Sequence, residues 1–301
     1  MAQQEIFKED PDKKDEFTSL KHLLKRNFNQ IENLSIGNII PEGIPVSFYD
    51  FDAMTQGLRR GDLIAFAGRP SMGKTSLALQ FAKNIASQNM PVCFFGFDMS
   101  KEQIAFRILA MESGIEIGRI RTGRLTSEEW TLANQINTKL ESLPIFLEDK
   151  RCITIDDIKN KCRKISITND DKNLGLIVID SFHMMEDKSL DDYQIQLKRN
   201  IRDLKNLARE LNVPVLITAP ISRGVEEREN SRPMLSDIRD SDALEYYGDI
   251  IVMLYRDEYY DPETEDRGIA ELIVTKHNNG PIGTVKMLFE PQFGRYRNLA
   301  A

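Results

Sequence analysis

Residues 68–75 read Gly68-Arg69-Pro70-Ser71-Met72-Gly73-Lys74-Thr75, a pair of glycines followed by lysine and threonine, set between an apolar run and a helical pattern. Upstream, Asp62-Leu63-Ile64-Ala65-Phe66-Ala67 is nearly continuous in apolar residues, as in a strand buried on both faces of a parallel sheet. Downstream, Leu77, Ala78, Phe81, Ala82 and Ile85 recur at helical spacing. A strand, a glycine-containing turn and a helix in this order leave little choice of fold. Glycines at 68 and 73 allow the backbone to curl with several N–H groups pointing inward, and the new helix adds its positive dipole end. The spacing predicts a phosphate cradle formed by Gly68, Arg69, Pro70, Ser71, Met72, Gly73, Lys74, Thr75 and Ser76. Lys74 then reaches the β- and γ-phosphates of ATP, and the Thr75 hydroxyl takes one position on Mg²⁺.

An ATP-hydrolysing site needs a second acid at a strand end. Leu174-Gly175-Leu176-Ile177-Val178-Ile179-Asp180 is an apolar strand ending in Asp180, which is expected to hold or orient the metal alongside Thr75. Hydrolysis also needs a carboxylate beside the attacking water, and Pro91-Val92-Cys93-Phe94-Phe95-Gly96-Phe97 ends at Asp98. Ser100 and Gln103 follow with the spacing of a capping box, so Asp98 has a second reading as a helix-start carboxylate facing the macrodipole.

The 301 residues suffice for one large core or two modest ones, and the formal net charge of -7 excludes a generally basic surface. If nucleic acid binds, positive charge must be concentrated in a pore or groove. Cys93, Cys152 and Cys162 show no C-x-x-C spacing and read as reduced intracellular thiols. No early segment resembles a signal peptide and no apolar run approaches the ~20 residues of a membrane span. A soluble, cytoplasmic protein without a membrane partner is expected, in the nucleoid or an organellar stroma as variants of that location.

Residues 1–16 combine dense charge with low hydrophobicity and read as a mobile tail. Leu20, Leu23, Leu24, Phe28, Ile31 and Leu34 then form a helical stripe on a segment too short to be a domain, which must dock on its own domain or on a neighbouring subunit. Gly43-Ile44-Pro45 breaks the chain, and from there apolar runs alternate with amphipathic helices. Strands are expected at 62–67, 91–97, 144–147, 174–180, 213–218, 248–255, 269–275, 283–289 and 293–297, with a long helix over 192–212. The pattern predicts an α/β fold with a mostly parallel twisted sheet, helices on both faces and antiparallel strands at the C-terminal edge. Ser222–Leu244 is polar and aperiodic, a length of loop that is more often functional than idle.

The chain from about Gly43 to Asn298 resembles the C-terminal, RecA-like motor domain of DnaB-type replicative DNA helicases, a family of P-loop NTPases. The resemblance is carried by Gly43-Ile44-Pro45, Phe48-Tyr49-Asp50-Phe51-Asp52, the 68–75 loop and Asp98-Met99-Ser100-Lys101-Glu102-Gln103. Further strings are Ile120-Arg121-Thr122-Gly123-Arg124-Leu125, Leu207-Ala208-Arg209-Glu210-Leu211-Asn212-Val213-Pro214-Val215, Arg232-Pro233-Met234-Leu235-Ser236-Asp237-Ile238-Arg239, Leu254-Tyr255-Arg256-Asp257 and Asn279-Gly280-Pro281-Ile282-Gly283-Thr284-Val285. It implies self-association into a hexameric ring with ATP sites between subunits, single-stranded DNA in the pore, and a primase or helicase loader as partner. It further implies a linker helix over 17–42, a motor domain over 43–301, DNA contacts from Arg239, Asp240 and Ser241, and catalytic roles for Lys74, Asp98 and Lys276. No counterpart of the family's N-terminal helical domain is expected before the linker.

Five positions depart from the family pattern. Asp98 stands for the catalytic glutamate, and a misplacement of ~1 Å costs on the order of 10²-fold in rate. His183 and Pro220 replace two glutamines, and proline has no side-chain donor with which to sense a γ-phosphate. Lys276-His277-Asn278-Asn279-Gly280 keeps the lysine but has Asn278 at the arginine finger, a group worth ~10³ to 10⁵ in rate. Asp242 replaces a glycine in the DNA-contacting string, where a carboxylate repels phosphate. Arg223, Arg228, Arg232 or Arg256 could replace the finger, or be ordinary surface charge. The expected function is an ATP-dependent DNA helicase motor. The alternative is a hydrolysis-impaired ATP-binding accessory homologue that works with a second helicase subunit, and a RecA-like ATP switch outside replication is a third reading.

Overall fold

The structure, a computed structural model, describes residues 17–35, 43–150, 153–168, 173–185, 192–228, 230–238 and 241–299. The predicted tail 1–16, Cys152, Arg239 and Asp240 lie outside the described residues. The chain divides into two compact units, Met1–Pro41 and Glu42–Ala301. In the first, the predicted stripe forms helix α1 (Leu20–Ser35), with Leu20, Leu24, Phe28 and Ile31 exposed.

The second unit opens with α2 (Tyr49–Thr55), β1 (Leu63–Gly68), α3 (Lys74–Ala86), β2 (Val92–Gly96), α4 (Lys101–Ser113), α5 (Ile117–Thr122), α6 (Ser127–Glu141) and β3 (Ile145–Glu148). It continues with α7 (Ile155–Thr168), β4 (Leu176–Asp180), α8 (Tyr193–Leu211), β5 (Val215–Pro220) and α9 (Ser241–Tyr247). It closes with β6 (Ile250–Tyr255), β7 (Ile269–His277), β8 (Gly283–Glu290) and β9 (Arg295–Asn298). Each expected strand is present, shifted by one or two residues at its ends. The strands form one sheet in the order β3-β2-β4-β5-β1-β6-β7-β8-β9. Pairings from β3 through β6 are parallel and those from β6 through β9 antiparallel, so the sheet is α/β with an antiparallel C-terminal edge, as expected.

Period-two alternation along β1 explains why this run is apolar throughout. Ile64 and Phe66 enter one core with α3, whereas Leu63, Ala65 and Ala67 enter a second core with α7 and α8. On the α3 side, Phe81 meets Phe48, Phe51 and Phe66 with ring centroids 5.2–5.6 Å apart. Each such buried ring stabilises the fold by about 1.5–3 kcal/mol. On the other side, Leu197, Ile201, Leu204 and Ala208 form the buried stripe of α8. Asp192 caps that helix by accepting from Gln194 N and Ile195 N, and Asn212 ends it in a left-handed conformation.

The strand order brings the C-terminal ends of β1, β5 and β4 side by side, with β2 beyond β4. Parallel sheets place ligand sites at such strand ends. The segment 222–244 begins at the end of β5 and contains two 3₁₀ turns, Arg223–Glu227 and Leu235–Asp237, before α9.

Candidate nucleotide site

Two backbone conformations shape the turn between β1 and α3. Ser71 and Gly73 have positive φ, 67° and 98°, and Gly73 forms the left-handed residue at the start of α3. A Cβ on Gly73 would also lie 2.3 Å from Tyr296 Oη, so glycine is required there on both counts. Gly68 serves differently from the curl expected of it. Its φ is not positive, and a Cβ there would lie 3.2 Å from Leu254 O on β6, so its role is close backbone approach.

Pro70, Ser71, Gly73, Lys74, Thr75 and Ser76 line a cavity of about 580 Å³. The other predicted cradle residues support it from outside. Met72 is buried in the core with its carbonyl accepting from Tyr296 Oη at 3.1 Å, and the carbonyls of Gly68 and Arg69 accept from Lys74 Nζ at 2.8 and 2.9 Å. The Arg69 side chain turns away to Glu226. Burial lowers the Lys74 ammonium to about 8, with Asp180 opposing the shift and Arg69 adding to it.

Asp180, the last residue of β4, sits across the cavity. Its Oδ2 accepts from Thr75 Oγ1 at 2.8 Å and its Oδ1 from Thr218 Oγ1 at 2.5 Å. Burial raises this carboxyl despite those two donors and Lys74, and the charge of Asp98 adds to the rise. Thr75 and Asp180 present hard oxygen donors side by side, a set that suits Mg²⁺ completed by phosphate and water oxygens. A cation there also offsets the charge of a carboxylate that burial disfavours.

Asp98 is exposed at the cavity margin, and the chain leading to it is held by Phe97 N donating to Asp180 O at 2.7 Å. The predicted capping box is present: Ser100 N donates to Gln103 Oε1 at 3.0 Å and Gln103 N to Ser100 Oγ at 3.3 Å. Asp98 thus lies two residues before the Ser100 cap and lines the cavity. Pro220 ends β5 opposite Gly68 and lines the cavity, whereas the His183 ring packs on Phe182 at 4.0 Å.

Lys276 and Asn278 are not brought to this cavity. They lie at the other end of the sheet, where Asn278 N donates to Asp249 O at 2.9 Å and Asp249 N to Leu63 O at 2.8 Å. The length of β1 separates that end from Gly68, roughly 17 Å at the usual rise per residue. Lys276 Nζ donates to Glu245 O at 2.5 Å and to Gly248 O at 2.6 Å, satisfying carbonyls at the C-terminus of α9. Ser241 opens α9, while its predicted companions Arg239 and Asp240 are outside the described residues.

Thr218, Arg107 from α4 and Phe289 from β8 also line the cavity, and none of them is a site residue expected from the sequence. Arg256 was one of four open arginines, and its guanidinium lies 4.6 Å over the Phe289 ring and donates to Ser71 O at 3.1 Å. Of the other three, Arg228 binds Asp237 and Arg232 forms a fork on Glu271, while Arg223 is exposed.

With this geometry, comparison with known proteins is specific. The family described as DnaB-like helicase C terminal domain matches residues 43–298. The replicative DNA helicase DnaC of Bacillus subtilis (strain 168) is 39% identical over 286 residues, covering 94% of this chain and 62% of the relative. The replicative DNA helicase DnaB of Geobacillus stearothermophilus gives the same identity and coverage. Among solved structures, one described as an ATPase domain superposes with a TM-score of 0.89 at 35% identity, covering 95% of this chain and 100% of that one. A DnaB-like replicative helicase, solved in a study of its interactions with primase, gives a TM-score of 0.86 at 35% identity, covering 95% and 68%. The chain thus spans about 62% of the length of the two helicases named first.

Proposed function

Since the chain belongs to the DnaB-like helicase C-terminal domain family, we propose that it is an ATP-dependent motor that moves single-stranded DNA through a ring of its own copies, as a hexamer. The observation that carries this reading is the joint placement of Lys74, Thr75 and Asp180 around one cavity at the end of the parallel strands.

In this reading the backbone N–H groups at the start of α3 bind the β-phosphate, and Lys74 exchanges its two carbonyl partners for the β- and γ-phosphate oxygens. Thr75 and Asp180 would hold Mg²⁺, which when bound would supply positive charge against the phosphates. Thr218 fixes the carboxylate plane of Asp180. Asp98 orients the attacking water and accepts its proton. Phe289 with Arg256 above it forms a wall of the cavity.

Lys276 lies a strand's length from its own chain's Lys74, so a role in hydrolysis requires a second copy to present its β7–β8 turn to this cavity. The proposed ring would meet that requirement. Arg239, Asp240 and Ser241 are the proposed DNA contacts, α1 the linker between subunits, and a primase or loader the further partner. The test is ATP turnover with and without single-stranded DNA, together with strand displacement on a forked duplex. DNA-stimulated turnover that Lys74→Ala abolishes is the expected result; tight ATP binding without turnover, unchanged by DNA, would overturn the motor.

A further inference from the structure

Arg69 touches both the lysine of the phosphate loop and the segment leaving β5. Its carbonyl accepts from Lys74 Nζ at 2.9 Å, while its Nε donates to Glu226 Oε1 at 2.7 Å and its second arm to Ile221 O at 3.4 Å. The Arg69 side chain is 12% exposed and that of Glu226 39%, so the arginine is the more buried partner.

The segment receiving Arg69 is knotted on itself. Ile221 bridges Ile238, Ser222 N donates to Asp237 O at 2.8 Å, and the Asp237 carboxylate accepts from Arg228 at 2.6 Å and Met234 N at 2.7 Å. Ile221 is thereby tied to Ile238, the residue immediately before the proposed DNA contacts. Pro220 adjoins the same knot and offers no side-chain donor to a phosphate. Arg69 provides a polar route from the cavity to this segment.

We propose that the Arg69–Glu226 pair is a clamp through which nucleotide occupancy of the loop at 68–75 sets the conformation of residues 221–238. The proposal rests on the nucleotide-site reading but not on DNA binding. Phosphate oxygens draw Lys74 Nζ from the Arg69 carbonyl, which frees the backbone that carries the guanidinium. That change shifts Arg69 against Glu226 and Ile221 and so reaches the segment they belong to. Glu226 is then a positioning residue, acting through Arg69 without touching nucleotide.

The test is amide hydrogen exchange on the full chain, following peptides that span 221–238 with and without Mg²⁺ and a non-hydrolysable ATP analogue. Analogue affinity is measured in parallel by fluorescence titration. In the unaltered protein the analogue is expected to change exchange in 221–238 by at least threefold. Glu226→Gln should keep analogue affinity within about twofold and lose most of that exchange response, whereas Glu226→Asp, which retains the charge, should keep it. An unaltered response in Glu226→Gln, or no response in the unaltered protein despite bound analogue, would overturn the clamp. Failure of the unaltered protein to bind the analogue would overturn the clamp and the nucleotide site together. A normal response without any binding of single-stranded oligonucleotide would sink the DNA reading alone.

Discussion

Thr218 Oγ1 donates to Asp180 Oδ1 at 2.5 Å inside the sheet, and this bond leaves Oδ2 directed at Thr75. Both residues are buried, so the pair orients the carboxylate without solvent competition. Thr218→Val keeps the shape and β-branching but leaves Oδ1 without this donor, at a cost of about 1–3 kcal/mol. A Tm lower by about 3–8 °C is expected. Loss of a hydrogen bond that orients a metal ligand typically costs 10- to 100-fold in affinity. The Mg²⁺ concentration for half-maximal nucleotide binding should therefore rise by about tenfold, measured by fluorescence titration.

The role proposed for Asp98 separates binding from chemistry. It is exposed at the cavity margin, so its removal leaves the Lys74, Thr75 and Asp180 contacts in place. Asp98→Asn should lower ATP turnover by about 10²-fold with nucleotide affinity within about twofold of the parent. Asp98→Glu extends the carboxylate by one methylene toward the reach usual in the family and should raise turnover by up to about 10²-fold. Steady-state phosphate release checks both variants.

Legibility in the sequence followed the range of each interaction. The turn at 68–75 and the Asp180 strand end were readable because glycine geometry, helix start and apolar run are local. The nine strands were readable for the same reason, with ends displaced where turns trim the ladder. Thr218 was not legible as a site residue, because a threonine in a strand is also an ordinary β-former and its partner lies 38 residues away. Arg107 and Phe289 were missed since their approach to the loop depends on how α4 and β8 pack. The two glycines of the loop looked alike in sequence, yet only Gly73 carries positive φ, and Gly68 answers to Leu254 on a strand far along the chain.

Asn278 is held locally by Asp249, with Nδ2 donating to Oδ1 at 3.1 Å and its N–H to the Asp249 carbonyl at 2.9 Å. A neutral amide there cannot stabilise charge on a neighbouring copy's nucleotide as a guanidinium does. Asn278→Arg is expected to raise DNA-stimulated turnover by at least tenfold, part of the ~10³ to 10⁵ attributed to arginine fingers. The gain should appear only in the assembled form, since residue 278 lies a strand's length from its own cavity. Mixing Asn278→Arg with an excess of Lys74→Ala chains tests this. Most intact cavities then face a neighbour that carries Asn278, so the gain should fall more steeply than the Asn278→Arg fraction, and a rate simply proportional to that fraction would count against cross-subunit action.

Asp62 gives a pH dependence away from the cavity. Lys205 Nζ is shared between Asp249, its close partner, and Asp62 at 3.8 Å, and Asp62 Oδ2 has no hydrogen-bond partner among the described residues. Burial, and next the Asp249 charge, push the Asp62 carboxyl from 3.8 up to about 6, with Lys205 pulling the other way. Between those pH values the folded chain holds a proton that the unfolded chain has released, so stability falls as pH rises through this window. The loss is complete above pH 6 and amounts to on the order of 1–3 kcal/mol. Asp62→Asn removes the titrating group and supplies a donor beside the Asp249 carboxylate. Its Tm should match the parent near pH 4 and exceed it by about 3 °C or more at pH 8. Thermal melts across that range check the sign, and a variant less stable than the parent at pH 8 would show that the Asp62 charge supports Lys205 more than its burial costs.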